Sequence, residues 1–262
     1  MMSLPTAAFS GSITGGSEWS CALRQSDSQP ECWGDSNVIN NWELDDGHIP
    51  QVAFTQINAG YSHVCGIRAD DETALCWGGN SNWLRYKGES LPPSGVAFVQ
   101  VASGGGFSCS IRKTDKKVEC WGLSYNGDHG YPSAIPDVAF KNIDAGHSNV
   151  CGVRLADNKG ECFGPVQGGS TLDIPDVELI NIKAAGRYGC ALKTDGHAVC
   201  YGHCSGAGSP CNLANLGPFS EIAINNQHTC GIKAADGTMA CAGYSGDGQF
   251  PLVNDSPPYC SA

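Results

Sequence analysis

The chain has 262 residues, 15 Lys and Arg against 26 Asp and Glu, a formal net charge of −11, 35 glycines and 15 cysteines. So acidic a chain repels phosphate backbones, which argues against a nucleic-acid partner, and no apolar run reaches the roughly 18 residues of a membrane span. Only 16% of residues are charged; with glycine this frequent, the balance suits many turns and few helices, and the length suits one large all-β domain or two small domains. The cysteines include no C-x-x-C pair and the histidines lack ligand spacing, so a metal site is not expected. A disulfide framework in an oxidising, extracellular compartment is the better reading. The opening MMSLPTAAFSGSITGG has neither the basic start nor the apolar stretch of a signal peptide.

In chain order, one phrase recurs six times. Its leading cysteines are Cys21, Cys65, Cys109, Cys151, Cys190 and Cys230, at steps of 44, 44, 42, 39 and 40 residues. A fixed period near 40 marks a repeat architecture. The units run approximately over residues 4–48, 49–91, 92–134, 135–173, 174–214 and 215–262, within a single domain. Several open on a Pro-led apolar stretch: LPTAAF at Leu4, IPQVAF at Ile49, IPDVAF at Ile135 and IPDVEL at Ile174. An alternating segment ending in small residues follows, such as TQINAG, and then a half-buried strand carrying the leading cysteine. An Asp-, Asn- or Gly-rich turn signals a hairpin. The returning strand closes on Cys, usually followed by an aromatic residue and Gly, as in ECWG, LCWG, ECFG and VCYG. Facing positions on paired antiparallel strands lie within reach of a disulfide. The expected pairs are Cys21–Cys32, Cys65–Cys76, Cys109–Cys120, Cys151–Cys162, Cys190–Cys200 and Cys230–Cys241. Cys204 and Cys211, in an insertion of the fifth unit, are expected to close their own loop. Cys260 is left over, as a free thiol or an intermolecular link.

The phrase QINAGYSHVCGIRADDETALCWGGN resembles the repeat of the regulator of chromosome condensation family, through Ile57, Ala59, Gly60, His63, Ile67, Trp77, Gly78 and Asn80. The resemblance extends from about Leu4 to Gly248. It implies a β-propeller with four-stranded blades. Six blades are expected here, one hairpin disulfide in each, with seven as the alternative because well-known members have that number. A secreted bacterial inhibitor of β-lactamases shares the fold, so the scaffold alone does not name a task. The hairpin cysteines resemble an extracellular branch of the family.

Trp33, Trp77, Trp121, Phe163 and Tyr201 recur at one repeat position, with Ala242 in the sixth unit, and are read as packing between blades. The position two before each leading cysteine holds Trp19, His63, Phe107, Asn149, Tyr188 and His228. Amphipathic residues of this kind favour recognition surfaces, so these are candidates for a binding face, although His63 and His228 also fit a structural histidine bonding the turn. The loops after the returning strands add Trp42, Trp83, Tyr86, Tyr125, His129, Tyr131 and Tyr244. No catalytic constellation, phosphate loop or metal motif appears, and no cofactor is expected. Asn254 sits in an Asn-x-Ser sequon and is a possible glycan site. The resulting expectation is a secreted, non-enzymatic module binding a protein or glycan through loops of one propeller face. The alternative is a structural subunit in which copies of the chain assemble, linked through Cys260.

Overall fold

The computed structural model of the chain describes residues 8–16, 19–34, 49–78, 92–122, 134–165, 172–204, 209–225 and 228–243. They form six antiparallel three-stranded sheets, each a blade whose strands pair in chain order. Blade one is β1 (Phe9–Gly15), β2 (Trp19–Arg24) and β3 (Pro30–Gly34); blade two is β4 (Phe54–Ala59), β5 (His63–Arg68) and β6 (Ala74–Gly78). Blade three is β7 (Phe98–Ser103), β8 (Phe107–Arg112) and β9 (Val118–Gly122); blade four is β10 (Phe140–Ala145), β11 (Val150–Arg154) and β12 (Gly160–Phe163). Blade five is β13 (Leu179–Ala184), β14 (Tyr188–Lys193) and β15 (Ala198–Gly202); blade six is β16 (Phe219–Ile224), β17 (His228–Lys233) and β18 (Met239–Gly243). A 3-10 helix, Pro210–Asn215, precedes blade six. Three strands per blade are seen among the described residues where the family resemblance implies four. Much of the chain between each third strand and the next blade lies outside them.

Each leading cysteine faces its partner across the central and third strands. All six hairpin disulfides form, with Cα separations of 4.0–4.1 Å, and Cys204–Cys211 forms a seventh at 5.4 Å. Because each bond closes a loop of about ten residues, chain-entropy reasoning assigns it roughly 2–3 kcal/mol.

The turn between second and third strands is built the same way six times. Asp27, Asp71, Asp115, Asp157, Asp195 and Asp236 each accept the backbone N–H two residues on. The next position adopts positive φ: Ser28 (57°), Glu72 (61°), Lys116 (60°), Asn158 (60°), Gly196 (80°) and Gly237 (71°). The carbonyls of the first five accept from the first strand of the following blade, as in Phe54 N to Ser28 O at 2.9 Å and Phe140 N to Lys116 O at 2.8 Å. The turn therefore reverses the hairpin and also hooks the next blade.

Hydrophobic burial does the same at larger scale. The core consists of five clusters, one at each junction between successive blades. At the second junction, Ile67, Ala74 and the Cys65–Cys76 bond of blade two pack on Phe98, Val101 and Trp121 of blade three. Of the residues read as packing, Trp77, Trp121, Phe163, Tyr201 and Ala242 are buried, at most 8% exposed, whereas Trp33 of blade one is half-buried. Side-chain amides stitch neighbouring first strands. Gln56 bonds both Val101 N and Val101 O, and Gln100 does the same to Ile143. A blade of three strands cannot cover both of its faces; stacking against neighbours covers them.

Candidate functional site at the axial mouth

The binding-face candidates divide in two. Trp42, Trp83, Tyr86, Tyr125, His129, Tyr131 and Tyr244 lie outside the described residues, as do Cys260 and Asn254. The sixfold position two before the leading cysteine is described, and its placement corrects the surface reading. Trp19, His63, Phe107, Asn149 and Tyr188 are 0–3% exposed, and His228 is partly buried. Trp19, His63, Phe107 and Tyr188 point along the ring, toward the residue just before the leading cysteine of the next unit. Trp19 shares a cluster with Val64, and Phe107 with Val150. His63 Nε2 lies 2.9 Å from Ser108 Oγ, and the Tyr188 hydroxyl donates to Asn225 O at 2.6 Å and lies 3.3 Å from Thr229 Oγ1. Apolar therefore meets apolar and polar meets polar. Where the next unit supplies Gly189, the Asn149 side chain has no hydrogen-bond partner among the described residues. Burial sets the protonation of this position: it pushes the His63 imidazole down to about 4 and the Tyr188 hydroxyl up to about 12.

The surface near the axis is formed instead by the turns joining first and second strands. Where the backbones of successive turns abut, the turns carry Gly or Ala. A Cβ on Gly60 would sit 2.3 Å from Gly104 O, one on Gly104 2.7 Å from Gly146 O, and one on Gly146 2.3 Å from Ala185 O. All six turns surround a depression of about 310 Å³. The larger side chains on its lining are Tyr61, His147, Ile224 and Asn225. Tyr61 is 43% exposed, and its ring meets His147 edge-on at 6.5 Å and 84°. Tyr61 N donates to Gly104 O at 3.1 Å, and Gly105 N to His147 O at 2.9 Å, which fixes both turns. Among the described residues, no Asp, Glu, Lys or Arg lines the depression, and desolvation lowers the His147 pKa, favouring the neutral ring.

The opposite face differs in kind. Antiparallel pairing puts the Asp-containing turns there, and their charges are matched in place: Arg24–Asp27, Arg112–Asp115 and Arg154–Asp157 within turns, Lys113–Glu72, Lys117–Asp137 and Lys159–Asp176 across junctions. Asp27, Asp115 and Asp157 are held below the ordinary carboxylate range, chiefly by the arginine three residues before each.

Tyr61 and His147 stand four residues before the leading cysteine, two away from the position that composition singled out. The available signal was variability: that site reads Tyr61, Gly105, His147 and Gly186 in units two to five, inside an otherwise constant frame. Among the described residues no group of three or more His, Cys, Asp or Glu could hold a metal ion, and no helix is long and apolar enough to cross a membrane.

Residues 54–82 match the regulator of chromosome condensation (RCC1) repeat. No curated protein matches the chain. Among solved structures, the chain is similar to the CRINKLY WD40 ectodomain of the Arabidopsis thaliana receptor kinase ACR4: 25% identity, TM-score 0.69, 91% of this chain and 80% of that one. It is similar to the entire ectodomain of the Physcomitrella patens receptor kinase CR4 at 24% identity and TM-score 0.73, over 93% of this chain but only 64% of that ectodomain's length. Prp20p of Saccharomyces cerevisiae aligns at 16% identity and TM-score 0.58, over 85% of this chain and 69% of its own. With the repeat, the blade topology and these likenesses together, the chain is an RCC1-like β-propeller of six disulfide-stapled blades.

Proposed function

We propose that this propeller is a secreted, non-enzymatic recognition module that takes an uncharged polar segment of a protein or glycan at its axial mouth. The observation that carries the reading is the contrast between the two faces. One face spends its charges on its own ion pairs. The other presents a depression whose described lining is uncharged, with an exposed tyrosine and a histidine whose pKa burial lowers. Neutral rings and backbone hydrogen-bonding groups suit sugars and peptide turns, and aromatic side chains anchor recognition sites. Likeness to a receptor-kinase ectodomain and the seven disulfides support an extracellular setting.

The test is a binding screen of the folded protein against neutral glycans and extracellular proteins, repeated with Tyr61→Ala and with Lys117→Ala on the opposite face. Tyr61→Ala is expected to weaken binding at least about tenfold, the cost of a truncated aromatic anchor, with unfolding unchanged and Lys117→Ala silent. Binding that survives Tyr61→Ala but falls with Lys117→Ala would place the site on the other face.

A further inference from the structure

The first strands of successive blades lie side by side, tied by side-chain bonds from one to the next. Ile57, Ile143 and Ile182 of these strands are buried in the blade junctions. Alternation along a strand turns the next residue the other way, toward the axis. The residues at that next position are Thr14, Asn58, Ala102, Asp144, Lys183 and Ala223, and each immediately precedes a residue on the lining of the depression. They form a ring one step below the mouth, and its two charged members, Asp144 and Lys183, stand on adjacent blades. Lys183 Nζ lies 3.8 Å from Asp144 Oδ1, beyond hydrogen-bond length, with the side chains 33% and 17% exposed. On the far face, by contrast, Lys113–Glu72, Lys117–Asp137 and Lys159–Asp176 close to 2.6 Å. The backbone beneath the open pair is fixed. Asp144 Oδ2 accepts from Ala184 N at 2.8 Å, and the Tyr201 hydroxyl donates to Lys183 O at 3.1 Å. A carboxylate and an ammonium are thus held apart, within reach of solvent, directly under an uncharged lining.

We propose that Asp144 and Lys183 form the floor of the axial site, where two adjacent hydroxyls of a neutral sugar bridge them, one accepting from Lys183 and the other donating to Asp144. The assignment rests on the mouth being the binding face, and it commits the ligand there to a glycan. A hydroxyl is both donor and acceptor. Two neighbouring hydroxyls therefore match a donor and an acceptor held 3.8 Å apart, with bonds of about 2.8 Å to each. A trans peptide unit points its C=O and N–H to opposite sides, so one such unit does not reach both partners. An acidic sugar would be drawn to Lys183 but repelled by Asp144 and by the net charge of −11. Above the floor, the exposed Tyr61 ring offers an apolar face to the C–H groups of a sugar.

The experiment titrates the folded protein with neutral oligosaccharides ending in glucose, galactose, mannose or xylose, and with a library of uncharged peptides. The variants are Asp144→Asn, which keeps an acceptor for Ala184 N, and Lys183→Met, which keeps the apolar stem. Lys159→Met on the far face is the control. Each site variant is expected to weaken the best-bound oligosaccharide at least about tenfold, and Lys159→Met to leave it unchanged. Monodeoxy analogues of that oligosaccharide give a readout that a purely structural ion pair would not move. Loss of the hydroxyl that meets Lys183 costs the wild type at least about tenfold and Lys183→Met no more than about twofold. Equal deoxy losses in the two proteins would overturn the proposal. So would oligosaccharide binding that needs Tyr61 but neither Asp144 nor Lys183, which leaves the mouth as the site. Peptides bound through Tyr61, with no oligosaccharide bound, would likewise keep the mouth and remove the glycan. Binding of neither class would remove both readings.

Discussion

His63 shows what a single residue does when a recurring position turns inward. It is fully buried, its Nε2 is occupied by Ser108, and Ser108 in turn donates to Ser103. The folded state holds the imidazole neutral down to about pH 4, whereas the unfolded chain takes up the proton near 6.5. The unfolded state therefore binds more protons between those values, and stability falls as pH drops through that window. Above pH 6.5 nothing is lost; across the whole window the loss is about 3 kcal/mol. Urea unfolding at pH 7 and pH 5 measures it. The wild type is expected to lose about 2 kcal/mol more than His63→Gln over that interval. Equal losses in the two proteins would mean that His63 is protonated at no cost in the fold.

The hairpin was the element most legible in the sequence. Cysteines 10 or 11 positions apart around an Asp-rich turn, repeated six times, leave few other arrangements, and the strands pair as that spacing requires. The position of Trp19, Phe107 and Tyr188 was less legible for a physical reason. Amphipathic residues suit a surface and a blade junction equally, and composition cannot separate the two. The partner of each lies in the next unit, as with Tyr188 and Thr229, 41 residues apart. Setting each unit beside its successor, rather than over its own copies, reveals the match of polar with polar. Tyr61 was missed because its exposure depends on glycine turns packing backbone on backbone, which no single unit displays. The hairpin turn carries a prediction of its own. Lys116 holds φ at 60° where the fifth and sixth turns use Gly196 and Gly237. An L-residue there costs about 1–2 kcal/mol of backbone strain, partly offset by the freedom that glycine adds to the unfolded chain. Lys116→Gly is expected to raise stability by about 0.5–1 kcal/mol in denaturant titration. A loss would show that the lysine side chain contributes more than its backbone strain costs.

At the scale of the molecule, the proposed function places stability and recognition on separate parts. Junction clusters, amide stitches and turn hooks hold blade to blade, and each blade is closed by its own disulfide. Repeat arrays of this kind gain stability from nearest-neighbour interfaces, so the axial turns are free to carry side chains that the core does not need. Tyr61 is one of them. On the far face Arg112 pairs with Asp115 and Lys117 with Asp137, and the proposed recognition site is the mouth on the other face. The seven disulfides and the likeness to receptor-kinase ectodomains are consistent with an extracellular location.

The most direct test of that account is peptide mapping of the native, unreduced protein with thiols alkylated beforehand. The account predicts linked peptides joining Cys21 to Cys32, Cys65 to Cys76, Cys109 to Cys120, Cys151 to Cys162, Cys190 to Cys200 and Cys230 to Cys241, with Cys204 linked to Cys211. Alkylated thiols at the hairpin positions, or bonds that join different blades, would contradict both the stapled propeller and the extracellular role proposed for it.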